Sequence, residues 1–142
     1  MNPKDRQEWM GLLARTAPAR LAELLPNLPV HHSARTPEIG TVMVRGRAGG
    51  TGTAFNLGEM TVTRCTLRLP SGTVGHAYVQ GRDKAHATRA AVVDALMQDD
   101  PQGTQATILA PLRTEAEARA AARRAKAAAT KVEFFTLVRG ED

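Results

Sequence analysis

Cysteine is nearly absent from this 142-residue chain, where Cys65 stands alone. One cysteine cannot close an internal disulfide, and it excludes an all-cysteine zinc or iron–sulfur site within the chain. A reducing, cytoplasmic home is expected. Aromatic residues are scarce too: one Trp, one Tyr and three Phe, too few for a base-stacking platform. No apolar run approaches the roughly 18–20 residues of a membrane span. Lys4, Asp5, Arg6 and Glu8 occupy the place where a signal peptide carries its apolar core, so neither export nor a membrane is expected.

The chain does carry a net charge of +5, which suits an acidic partner or an anionic ligand. The basic residues are scattered as Arg45 and Arg47, Arg64 and Arg68, Arg82 and Lys84, and Arg119 to Lys126. With so few aromatics, nucleic acid is not expected as a partner. The length favours one domain, able to bury roughly two-thirds of the surface its unfolded chain exposes.

Two amphipathic helices are expected first. "DRQEWMGLLART" sets Trp9, Leu12, Leu13 and Thr16 at helical spacing, and "PARLAELLPNL" sets Leu21, Leu24, Leu25 and Leu28 on one face. Pro18 suits a first helical turn and Pro26 an end. These helices read as an N-terminal arm (residues 1–30), packed either on the body (38–142) or on a partner. From Gly40 the period changes to two: "GTVMVRGR" and "MTVTRCTLRL" read as strands, with "PSGT" turning into "TVGHAYVQG" as a hairpin. "DKAHATRAAVVDALMQ" reads as a helix capped by Asp83. "DDPQGTQ" reads as a loop, and "TEAEARAAARRAKAAAT" as a second helix with a capping box of Thr114 and Glu117. Its alanines at 118, 121, 122, 125 and 129 form the expected inner face, either a plain surface helix or a close contact with another chain. "KVEFFTLVRG" reads as a closing strand. The expected fold class is α+β, a mostly antiparallel sheet of about four strands with helices packed on it.

Two corners are candidates for anion contact. In "GRAGGTGTAFNLGEMTVTRC" the glycines bring backbone N–H groups forward, flanked by Arg45, Arg47 and Arg64. A phosphate-binding P-loop needs a Lys after the glycines and a helix behind them, and both are missing. A tight turn or bulge between strands is the alternative. In "VQGRDKAH" a helix start lies between Arg82 and Lys84, but a capping Asp83 already takes its N–H donors. His86 falls on the helix stripe of Ala90, Val93 and Met97, which points it inward more readily than toward acid–base work. The residues to test are therefore Arg47, Gly49, Gly50, Arg64, Arg82, Lys84 and His86. Adjacent His31 and His32 do not make a metal site, so no metal is expected. Cys65 reads as a buried filler inside a strand. No Ser–His–Asp order and no paired catalytic carboxylates emerge, and the catalytic residues stay unknown.

Three motifs in this order, "RAGGTGTAFNLGEMTVTR", "GHAYVQGRDKAHATRAAVVDAL" and "KVEFFTLVRG", with the opening "RQEWMGLLA", closely resemble the PhnG family. That family supplies the small G subunit of the bacterial carbon–phosphorus lyase core complex. The resemblance runs from about Arg6 to Gly140. It implies work in phosphonate catabolism, as a subunit of a transferase complex rather than as a self-sufficient enzyme. The implied partners are the H, I and J subunits and an ATPase-like L protein. The implied reaction is attack of phosphonate on the ribose C1′ of ATP with loss of adenine, giving ribose 1-methylphosphonate 5-triphosphate. ATP is then a substrate of the complex, and this chain alone binds no cofactor. The resemblance credits nucleosidase chemistry to the I subunit and radical C–P cleavage to the J subunit with its iron–sulfur cluster. A chain with one cysteine is not that radical subunit. No catalytic role is carried over onto any residue here.

Overall fold

The computed structural model describes residues 2–139, with side chains described as far as residue 131. The chain runs α1 (Pro3–Arg15), α2 (Pro18–Leu24), β1 (His32–Arg47), β2 (Ala54–Arg68), β3 (Val74–Gln80), α3 (Lys84–Asp99), a short α4 (Pro101–Thr104) and, after a π-helical turn at Gln105–Leu109, α5 (Ala110–Arg139). The fold is α+β. Among the described residues the sheet has three strands, all antiparallel, in the order β1-β2-β3.

α3 is the centre of the molecule. Asp83 caps it by accepting from the His86 N–H at 2.9 Å. From His86 to Met97 most of its side chains are buried, in contact with β2 and β3 of the sheet and with α1 and α2. The approach to β3 is so close that a Cβ on Gly75 would lie 2.0 Å from the Ala91 carbonyl oxygen. Only glycine fits there. The free edge of β3 is also met by α3: the His76 N–H donates to the Asp94 carboxylate at 2.9 Å, and Gln98 Nε2 donates to the Val74 carbonyl at 2.9 Å. Two backbone groups at the start of that edge are thereby satisfied and no longer invite a fourth strand.

One open expectation is decided and three are corrected. Of the two packings open to the N-terminal helices, the one on the body is found. Trp9, Leu12, Leu13 and Leu21 share one buried cluster with Leu67, Val79 and Val93. Burying a leucine such as Leu13 or Leu21 contributes about 1.5–3 kcal/mol, and both are essentially inaccessible. The expected loop at "DDPQGTQ" is helical. Asp100 accepts from the Gly103 N–H at 3.1 Å, and Pro101 holds the first helical position, a start signal of its own. Helical structure is thus under way before Thr114, whose hydroxyl donates back to the Ala110 carbonyl at 3.1 Å instead of capping a new helix. The closing strand is also not formed. Through Arg139 the chain continues as α5, and Gly140 lies outside the described residues. Extending an existing helix needs no new nucleus, and the β-preference of Val and Phe depends on finding a pleated surface to pack against.

β1 and β2 both run longer than expected. β1 starts at His32, and Pro37 sits in a register shift between Arg35 and Glu38, on an edge strand where its missing N–H is tolerated. β3 pairs only with Val62 to Arg68 of β2. Beyond that point Thr41–Arg47 and Ala54–Thr61 form a two-stranded ribbon, about 23 Å long at ~3.3 Å per residue.

Candidate functional site

The glycine cluster is the tip of this ribbon. Ala48–Gly50 form a single 3₁₀ turn, closed by the Thr51 N–H on the Ala48 carbonyl, which also accepts from the Gly52 N–H at 2.9 Å. Gly49 and Gly50 have φ of 63° and 79°, left-handed values that favour glycine. Arg47 stands at the turn, paired across the ribbon with Ala54, and Arg45 is paired with Asn56. Arg64 is not part of this corner. It lies ten residues along β2 from Ala54, roughly 33 Å away by strand rise. The expected cradle of glycines and three arginines is therefore split in two.

The second corner is divided as well. Arg82, Asp83 and Lys84 are exposed at the start of α3. His86 is 2% exposed, and its Nε2 lies 3.1 Å from the Leu13 carbonyl. That contact makes Nε2 the protonated nitrogen, and Nδ1 has no hydrogen-bond partner among the described residues. Burial lowers the imidazole pKa below its ordinary value, so the ring is a neutral tie between α3 and α1. Burial likewise raises the Cys65 thiol above its usual range, away from the thiolate a nucleophile requires.

The structure instead gathers Arg64 with residues that were not singled out from the sequence. Residues opposite one another in an antiparallel sheet share a face. Arg64 is paired with Glu38 and Tyr78, and Thr66 with Arg35 and His76. Arg35, Arg64, Thr66, His76 and Tyr78 border one open cleft of about 250 Å³ on the face away from α3. The Thr66 hydroxyl lies 3.0 Å from His76 Nδ1. Among the described residues no carboxylate engages the other ring nitrogen, so the pair lacks the orienting acid of a catalytic triad. Arg35, Arg64 and Arg68 make no ion pair among the described residues. The alternation of Arg64, Thr66 and Arg68 with buried Cys65 and Leu67 was the available signal for this face.

The other polar clusters are internally matched. Fully buried Asp94 accepts from Arg6 Nε and Nη2, Trp9 Nε1 and the His76 N–H. A cleft of about 460 Å³ beside α1 is bordered by Glu8, Trp9, Gln98 and Arg113. Its arginine is taken up in a two-point fork with Glu8, at 2.9 and 2.6 Å. Among the described residues no group of three or more His, Cys, Asp or Glu converges as metal ligands, and no helix is long and apolar enough to cross a membrane.

Comparison with known proteins places these features in a family. A family model described as "Phosphonate metabolism protein PhnG" matches residues 4–140. The alpha-D-ribose 1-methylphosphonate 5-triphosphate synthase subunit PhnG of Rhizobium meliloti (strain 1021) is 46% identical over 144 residues, covering 97% of this chain and 91% of that protein.

Proposed function

The chain belongs to the PhnG family, and from that premise we propose that it is a subunit of ribose 1-methylphosphonate 5-triphosphate synthase within the carbon–phosphorus lyase core complex. The observation that carries this reading is the 46% identity along essentially the whole of both chains. The complex transfers phosphonate onto the ribose C1′ of ATP and releases adenine. The I, H and J subunits and the L protein are its partners, and the cytoplasm is its place. Within the complex this chain is accessory, and the chemistry resides elsewhere. The disposition of its titratable groups supports that role: His86 and Cys65 are buried, and Asp94 is consumed by four donors.

Its exposed basic residues then face either the anionic substrates or acidic surfaces of sister subunits. Arg47 with Gly49 and Gly50 at the ribbon tip, and Arg82 with Lys84 at the start of α3, are the two sets to separate. A triphosphate is well served by arginine forks and backbone N–H groups. Co-expression with the other core subunits should yield one stable complex containing this chain; a chain that never co-purifies would overturn the reading. Within that complex, Arg82→Ala with Lys84→Ala assigns the second corner. Lost synthesis with intact assembly means substrate contact, and lost assembly means an interface.

A further inference from the structure

The sheet face away from α3 changes character along its length. Near the body it is basic, with Arg35, Arg64 and Arg68 unpaired among the described residues and Glu38 the acid beside them. Along the ribbon the same face becomes apolar. Register places Val42 opposite Met60, Val44 opposite Gly58 and Gly46 opposite Phe55. The extra residue of the β2 bulge, Leu57, lies over Gly46, its Cδ1 2.9 Å from where a Cβ would stand. Leu57 is 62% exposed and Phe55 46%. Among the described residues no third strand pairs with the ribbon along this stretch, and a bare two-stranded hairpin is only marginally stable in water.

We propose that this face is the docking surface for another subunit of the synthase, one that presents an apolar strip bordered by carboxylates. The inference rests on the proposed role in a multi-subunit complex and names the surface that role would use. Charge selects the occupant. A second copy would lay its own arginines against these, or against the apolar end, and both arrangements bury unmatched charge. A polyanion would suit the arginines, and Tyr78 beside Arg64 could stack on a base, but Leu57, Val42 and Val44 along the ribbon would stay uncovered. A protein surface with carboxylates near the body and apolar side chains along the ribbon matches both ends. α5 is the competing surface. From Ala121 to Thr130 it is exposed all round, but its small side chains offer little area each.

The test uses full-length chain and the other core subunits, with binding measured at low and high salt. The variants are Leu57→Ser, Phe55→Ser and Arg64→Glu, at positions exposed in the free chain, with Arg123→Glu on α5 for comparison. Thermal melts of each free variant exclude misfolding, and Arg64→Ala replaces Arg64→Glu if the latter melts early. Leu57→Ser and Phe55→Ser should each weaken binding about tenfold to a hundredfold. Arg64→Glu should weaken it and flatten its salt dependence. Arg123→Glu should bind as the unaltered chain does. Undiminished binding by the first three variants would overturn the inference, as would loss confined to Arg123→Glu. A self-dimer of the free chain abolished by Leu57→Ser would make a second copy the occupant and overturn it as well. If the unaltered chain never joins the complex, the proposed role itself falls and this surface with it.

Discussion

Asp94→Asn isolates the interaction that ties the N-terminal helix to the body. Trp9 Nε1 donates to Oδ1 at 2.8 Å, and Arg6 Nε to the same oxygen at 3.2 Å. Arg6 Nη2 donates to Oδ2 at 2.8 Å and the His76 N–H at 2.9 Å. An asparagine amide keeps one acceptor oxygen and turns an NH₂ toward two donors in either orientation. The Arg6 side chain is 32% exposed, so water can take its freed N–H, and exchanging its charged acceptor for a neutral one costs about 1 kcal/mol. The orphaned Trp9 or His76 N–H has no such relief and costs about 1–3 kcal/mol. Together these predict a loss of about 2–4 kcal/mol, a fall in Tm on the order of 10 °C. Urea unfolding followed by fluorescence reads it directly, because Trp9 is the only tryptophan in the chain. Glu8→Gln, at the exposed fork to Arg113, supplies the comparison and should cost under ~1 kcal/mol. An Asp94→Asn loss as small as that would refute the reasoning.

Gly75→Ala should destabilise by about 3 kcal/mol or more, since the new methyl would press on the Ala91 carbonyl at 2.0 Å and the Ala95 Cβ at 2.9 Å; a urea midpoint close to that of the unaltered chain would contradict it. The His86 imidazole is held below its ordinary pKa by burial, so the unfolded chain binds the proton first. Stability is then full above the unfolded pKa and is lost as pH falls below about 6.5; His86→Leu should remove that part of the pH dependence, measured as urea midpoints from pH 8 to 5. Gly50→Ala should cost about 1–2 kcal/mol through its left-handed φ of 79°, and Gly50→Asn less, with hydrogen exchange reporting the loosening at the ribbon tip.

The helices before and after the strands in the chain were legible because their signals are local. Pro18 and Asp83 each mark a start by a mechanism that acts within one turn, and both stand where expected. The inward turn of His86 followed from the same periodicity. What was not legible depends on distance. The strand expected at "KVEFFTLVRG" has the right residues, but whether such residues pair depends on an available edge, and that of β3 is met by Asp94 and Gln98. Arg64 was grouped with the glycines because it follows them in sequence. An extended strand carries it roughly 33 Å off, toward Arg35 and His76, which arrive from neighbouring strands. The Asp94 hub joins residues 18 to 88 positions apart, and no short-range pattern encodes such a meeting.

Adenine release from ATP in the presence of methylphosphonate tests the central claim most directly, run with the complete set of core subunits, with this chain left out, and with this chain alone. The expected result is release by the complete set, loss of release when this chain is left out, and none from the chain alone. Release by the isolated chain, or full activity of a complex assembled without it, would contradict the assignment of an accessory subunit.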